Sequence, residues 1–151
     1  MFEEVTDSDE LQLAIALPEL ESVPHGELIL LDSIIESLAL KSGFDAIFVG
    51  GLNDHLTVDK RSQLSQTCDD NGIELVQFEN PSNDLAVICD VIVNLAGKLF
   101  SDEMPKNVSI ADIRNINLYS DCLFAFNSVR SALDFLETQS LGSVVGGVFL
   151  A

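Results

Sequence analysis

Basic residues are scarce: seven Lys and Arg stand against 25 Asp and Glu, a formal charge of −18 over 151 residues. So few cations cannot neutralise a phosphate track, which excludes duplex or single-strand nucleic acid as a partner. No apolar run reaches the ~18 residues that a membrane span requires. The acidic start Met1–Glu10 has neither the basic nor the apolar region of a signal peptide. Cysteine is sparse as well. Cys68, Cys89 and Cys122 form no C-x-x-C pair, and His25 and His55 stand apart from them. A zinc site or a disulfide framework is therefore not expected, and the three read as reduced thiols of a cytoplasmic protein. Also missing are a G-x-x-x-x-G-K-[ST] phosphate loop, G-x-G-x-x-G and G-x-S-x-G. A receiver-type phosphoryl acceptor is lacking too, since no Asp ends the strand over Phe44–Val49. There is no internal repeat and no Gly/Ser- or Pro-rich linker.

What is present is an ordinary core. Hydrophobic residues make up 47% of the chain, too many for disorder by composition and enough for one folded unit at this length. Residues 1–10 read as an acidic N-terminal segment and residues 11–151 as a single α/β domain. Ten carboxylates and no Lys or Arg fall within residues 1–36. Three readings fit that bias: a solvated face or tail, adaptation to a salty (halophilic) cytoplasm, or a docking patch for a basic partner.

Strand and helix signals alternate along the chain. Leu11–Leu17 predicts a buried strand stopped by Pro18. The spacing of Leu28, Leu31, Ile34, Ile35 and Leu38 predicts a helix over Glu27–Lys41, closed by Ser42-Gly43. Phe44–Val49 is a strand, Lys60–Asp70 a polar helix and Ile73–Phe78 the next strand. Asn80-Pro81-Ser82-Asn83 forms a turn that supplies a helix N-cap. Asp84–Phe100 is then a long helix, apolar on most of its circumference and so buried centrally. A short helix around Ala111–Asn117, a strand over Cys122–Phe126, a helix over Val129–Gln139 and a last strand over Val144–Leu150 complete the order. The fold class is α/β, a sheet covered by helices.

Few residues carry chemistry. Asp54-His55, after the Phe44–Val49 strand, reads as an acid–base pair or, with no adjacent nucleophile, as turn residues. Asp90, Asn94 and Lys98 stand at i, i+4 and i+8 of the central helix and form a polar stripe. Such a stripe meets a ligand, a loop or water, or is a solvated edge. Ser109-x-x-Asp112 precedes an apolar-periodic segment as a capping box does, with the Asp112 carboxylate on the positive helix end.

The stretch Asn107-Val108-Ser109-Ile110-Ala111-Asp112-Ile113-Arg114 resembles the FtsZ/tubulin superfamily loop that reads N-x-D-[FL]-[AT]-D-[VI]-[RK] in the FtsZ branch. In that family the loop reaches across a filament contact and helps activate water against the neighbour's GTP. Ile88-Cys89-Asp90-Val91-Ile92 resembles the central-helix segment whose Asp contacts guanine. Ile34–Gly50 resembles the helix and strand after the family's glycine-rich signature, and the strands and helix after residue 121 resemble the elements beyond the loop. The resemblance runs over most of residues 11–151 and implies a partial FtsZ/tubulin-like architecture. It places part of the GTPase domain up to about residue 106 and the start of the C-terminal domain from about 107. It also implies a central helix between two sheet regions.

The departures from the family decide the functional expectation. Ser109 replaces the first loop carboxylate, and only Asp112 remains to polarise an attacking water. The phosphate loop would fall near Pro18–Glu27, where one Gly is left and Glu19, Glu21 and Glu27 repel phosphate. The resemblance thus implies a shortened cell-division or cytoskeletal protein, a degenerate GTPase that binds or modulates filaments of a full-length relative or of itself. Its partner-contact residues would be Asn107, Ser109, Asp112 and Arg114. Asp90 and Asn94 would contact guanine only if that site were retained. No cofactor is expected, and GTP only where a partner completes the site. One alternative is a GTPase completed in trans, with Asp112 acting on a neighbour's GTP. Another is an unrelated α/β protein-interaction or small-ligand module in which Ser109 and Asp112 merely cap a helix.

Overall fold

The computed structural model describes residues 11–18, 22–40, 43–100, 110–117 and 122–137. Their strands form one five-stranded sheet: β1 (Leu13–Ala16), β2 (Glu27–Leu28), β3 (Ala46–Gly50), β4 (Glu74–Glu79) and β5 (Leu123–Phe124). The order is β2-β1-β3-β4-β5 and every pairing is parallel. The α/β class is that expected. The apolar runs 13–16 and 46–50 become central strands because both of their faces are covered, so every residue in them is buried.

Two sets of helices cover the sheet. On one face α1 (Ile34–Leu40) and α3 (Val58–Asp70) bring Ile34, Leu38, Leu64 and Cys68 against Ala14, Ala16, Ile47 and Val49. On the other, α4 (Leu85–Leu99) lays Ile88, Ile92, Leu95 and Ala96 on Leu13, Ile15, Phe48, Val76 and Phe78. Phe48 and Phe78 meet there edge to face, with ring centroids 5.3 Å apart. The short helix α5 (Ile110–Asn117) adds buried Ile113 to the same cluster. Two further helices are α2 (Leu52–His55), between β3 and α3, and α6 (Val129–Glu137), after β5.

The chain's route between strands departs from a regular doubly wound sheet. From β2 to β3 and from β3 to β4 it steps in one direction across the sheet, with α1 and α3 on a common face. From β4 to β5 it steps the same way, but α4 and Ile113 of α5 lie on the opposite face. Equal steps over opposite faces have opposite hands. Since about 98% of such crossovers are right-handed, the β4-to-β5 connection is the exceptional one. The β1-to-β2 connection provides the physical opening for it, since its described part holds no helix. The face that such a helix would cover is covered by α4 instead. His25, in that connection, stacks on Phe100 at the end of α4, with ring centroids 5.5 Å apart.

Three expectations need correction. The helix expected over Glu27–Lys41 begins only at Ile34; Glu27–Leu28 is an edge strand on β1, and Leu31–Ser33 is a single 3-10 turn. Its pairing with Ala14 and Ile15 gives the Glu27–Leu28 backbone partners that a helix start would leave unmet. The polar helix starts at Val58 rather than Lys60, because Thr57 caps it by accepting the Lys60 amide at 3.2 Å. The α4 cap is Asp84, which accepts the Ala86 and Val87 amides at 3.0 and 3.4 Å. The turn before it is organised by Asn80. The strand expected over Val144–Leu150 lies outside the described residues. The two sheet regions around a central helix that the resemblance implies are not found among the described residues: β5, in the part assigned beyond residue 107, pairs with β4, so all five strands form one sheet with α4 on one of its faces.

Candidate functional site

In an open parallel sheet, ligands bind at the carboxyl ends of the strands where the strand order reverses. Here that point lies between β1 and β3, at Leu17, Pro18, Gly50 and Gly51. It is filled by the chain's own apolar side chains. A Cβ on Gly50 would stand 2.6 Å from Ile88 Cγ2 and 2.8 Å from Leu17 Cδ2. One on Gly51 would stand 3.0 Å from Leu85 Cδ2 and 3.2 Å from Pro18 Cγ. Gly51 also has φ +70°, which L side chains rarely adopt. Both glycines therefore serve close packing of α4 and β1 on β3, not the approach of a phosphate. In the following helix His55 is exposed, and the side chain of Asp54 lies outside the described residues.

The carboxyl end of β4 is braced by Asn80, which is buried. Its Nδ2 donates to the Ala125 carbonyl at 2.9 Å, and its Oδ1 accepts the Ser82 amide at 2.9 Å. Asn80 thus ties the turn into α4 to the residue after β5. Beyond it, Asp90 and Asn94 are exposed on the α4 face turned away from the sheet, and Lys98 is half-buried. Asp90 and Asn94 share a groove of about 730 Å³ with Val91, Phe124, Phe126 and Leu133. The stripe thus lines a concave surface instead of lying buried in the core.

The opposite end of the sheet holds α5. Arg114 Nε stands 3.3 Å from Glu74 Oε1, at the amino end of β4. Asn117 Nδ2 donates to Glu74 Oε2 at 2.6 Å and to the Leu75 carbonyl at 2.9 Å. Ile113 is buried, while Asp112 is exposed in the first turn of the helix. Arg114, expected as a contact residue, is therefore engaged within the chain, and Asp112 is an exposed residue of the same helix. Asn107 and Ser109 lie outside the described residues. Asp90 and Asn94 thus share a site, whereas Asp112 and Arg114 belong to a separate end of the molecule.

One surface was not foreseen. Phe135 of α6 packs on Phe124 and Phe126, with centroids 4.7 and 5.4 Å apart. The spacing of Val129, Leu133 and Leu136 signals an amphipathic helix; that all three stay exposed could not be read from it. None of the three cysteines is in a disulfide. Burial, and then the charge of Asp69, pushes the Cys68 thiol up to about 12. Among the described residues no cluster of His, Cys, Asp and Glu could hold a metal ion. Nor is any helix among them long and apolar enough to cross a membrane. No protein-family model, curated protein or solved structure matches this chain.

Proposed function

We propose that this chain is a shortened FtsZ/tubulin-like protein of the cytoplasm that binds or modulates filaments of a full-length relative, without GTPase activity of its own. The observation that carries the reading is the placement of two features at opposite ends of α4. At its start, the carboxyl-end crevice between β1 and β3 is closed by Leu17, Leu85 and Ile88 around Gly50-Gly51. At the far end of the sheet, α5, which carries the exposed Asp112, is pinned to Glu74. The 15 residues of α4 span about 22 Å between them. Head-to-tail assembly needs two different surfaces at opposite ends of a subunit. A chain with one such end intact and the nucleotide end packed shut adds to a filament and stops it.

Sedimentation and light scattering of a full-length FtsZ with GTP, with and without an equimolar amount of this chain, test the reading. Pelleted polymer should fall, and equilibrium dialysis of the chain alone should show no GTP binding at micromolar concentration. Unchanged assembly overturns the filament reading, and tight GTP binding overturns the non-enzyme reading. Asp112→Ala separates capping from catalysis in trans: capping predicts a change in filament length, catalysis a fall in the partner's GTP turnover. A second reading, an α/β interaction module unrelated to filaments, is favoured by the groove between α4 and α6.

A further inference from the structure

Helix α6 is largely exposed. It has nine residues and none is buried. Val129 and Leu133 are each 52% exposed and Leu136 43%, and Phe124 beside them is 48% exposed. Positions i, i+4 and i+7 put Val129, Leu133 and Leu136 on one stripe. A nine-residue helix is marginal in water without tertiary packing, and the contacts of Phe135 with Phe124 and Phe126 supply only part of it. Val129 and Leu133 of this stripe line the groove of about 730 Å³ together with Asp90, Val91 and Asn94 of α4.

We infer that this groove is a docking site for an amphipathic helix with a basic rim, supplied by another protein. The stripe extends over about 10 Å, seven residues at helical rise, the length over which a helix presents anchors at i, i+3 or i+4 and i+7. The apolar lining is Val91, Phe124, Phe126, Val129 and Leu133, and Leu136 continues the exposed stripe one turn beyond it. Asp90 of α4 lines the groove, and Asp134 and Glu137 are exposed on the same helix as Val129 and Leu133. The cations nearby are Arg130, 3.9 Å from the Asp134 carboxylate, and Lys98 two turns along α4 from Asp90. With a formal charge of −18 on the whole chain, the field draws a cationic partner and repels a second copy. The inference does not rest on the filament reading, since the groove is separate from α5.

A fluorescently labelled 18-residue peptide, helical by design, with Leu at i, i+4 and i+7 and Lys on its flanks, serves as the probe against the full chain. Fluorescence anisotropy should show saturable binding that weakens as salt rises. Leu133→Glu should weaken it about tenfold or more, a loss of about 1.4 kcal/mol, and Val129→Glu likewise. Both side chains are half-exposed, and unchanged circular dichroism would establish that the variants fold. Asp90→Asn should weaken binding by a smaller factor and flatten its salt dependence. Four outcomes overturn the inference. The first is no saturable binding, and the second is equal binding of a peptide with the same composition and scrambled Leu positions. The third is binding indifferent to Leu133→Glu and Val129→Glu in folded protein. The last is a concentration-dependent dimer that Leu133→Glu dissolves, which assigns the surface to a second copy.

Discussion

Replacing Gly50 by Ala tests the closure of the carboxyl-end crevice directly. The added methyl would lie 2.6 Å from Ile88 Cγ2 and 2.8 Å from Leu17 Cδ2, about 1 Å inside ordinary carbon–carbon contact. Ile88 is 1% exposed and Leu17 3%, so neither can swing into solvent. Ile88 Cγ2 sits on the branched carbon, so relief requires α4 itself to shift from the sheet. Overpacking of this kind costs about 1–3 kcal/mol. The loss of glycine's unfolded-state freedom returns about 0.4–1 kcal/mol, since Gly50 is not among the positive-φ glycines. The net expectation is a destabilisation of about 1–2 kcal/mol. In a chain of this length each kcal/mol lowers Tm by roughly 2–4 °C, so thermal and urea unfolding followed by circular dichroism resolve it. Ile88→Ala in the same background removes Cγ2, and the double-mutant cycle should show the two changes coupled favourably. A Gly50→Ala protein as stable as the parent, or more stable, would refute the packing account. It would mean that the crevice has room, and a phosphate or other ligand could then be admitted between β1 and β3.

Cys68 supplies a pH test. Its thiol is neutral in the fold and shifted from 9.0 to about 12. The unfolded chain therefore releases its proton first as pH rises, and stability is full below pH 9 and declines from there toward pH 12. That rise in the thiol pKa corresponds to a total on the order of 4 kcal/mol. Urea midpoints measured at pH 8, 10 and 11 should fall more steeply for the parent than for Cys68→Ala; parallel lines would contradict the buried-thiol account. Asn80→Ala should cost about 1–3 kcal/mol, because it leaves the Ala125 carbonyl and the Ser82 amide without their partner. The same change should speed hydrogen exchange at the Ala125 amide, which donates to the Glu79 carbonyl at 2.7 Å. Unchanged exchange would mean that β5 is held by other contacts.

The legible parts of the fold were those where one local signal sufficed. β1, β3 and β4 are apolar runs bounded by Pro18, Gly50-Gly51 and the Asn80–Asn83 turn, and the long apolar run of α4 gives its helix; the burial expected around most of its circumference is not found, since Val87, Ile88, Ile92, Leu95 and Ala96 are buried but Ala86, Asp90 and Asn94 are exposed. The strand Glu27–Leu28 was not legible. Two residues carry no periodicity of their own, and Leu28 happens to stand three residues before Leu31 in the helical pattern. The four-residue helix Leu52–His55 is likewise shorter than one full hydrophobic repeat.

Topology and site escaped for a common reason. The hand of the β4-to-β5 step depends on which face of the sheet is left bare by the β1-to-β2 connection, a fact about residues some sixty positions upstream. Periodicity within α4 identifies Ile88, Ile92 and Leu95 as one face and Asp90 and Asn94 as another. It cannot say that Phe124 to Leu133 come up beside the second face and turn a solvated edge into a groove. Because α4 takes the bare face of the sheet, its polar stripe points outward, toward α6. Had the chain followed the common hand, α4 would have packed beside α3, the opposite face would have stayed bare, and Asp90 would have had no concave surface to line. The groove is therefore a product of the exceptional crossover, and its apolar lining and Asp90 come from elements that only that route brings together.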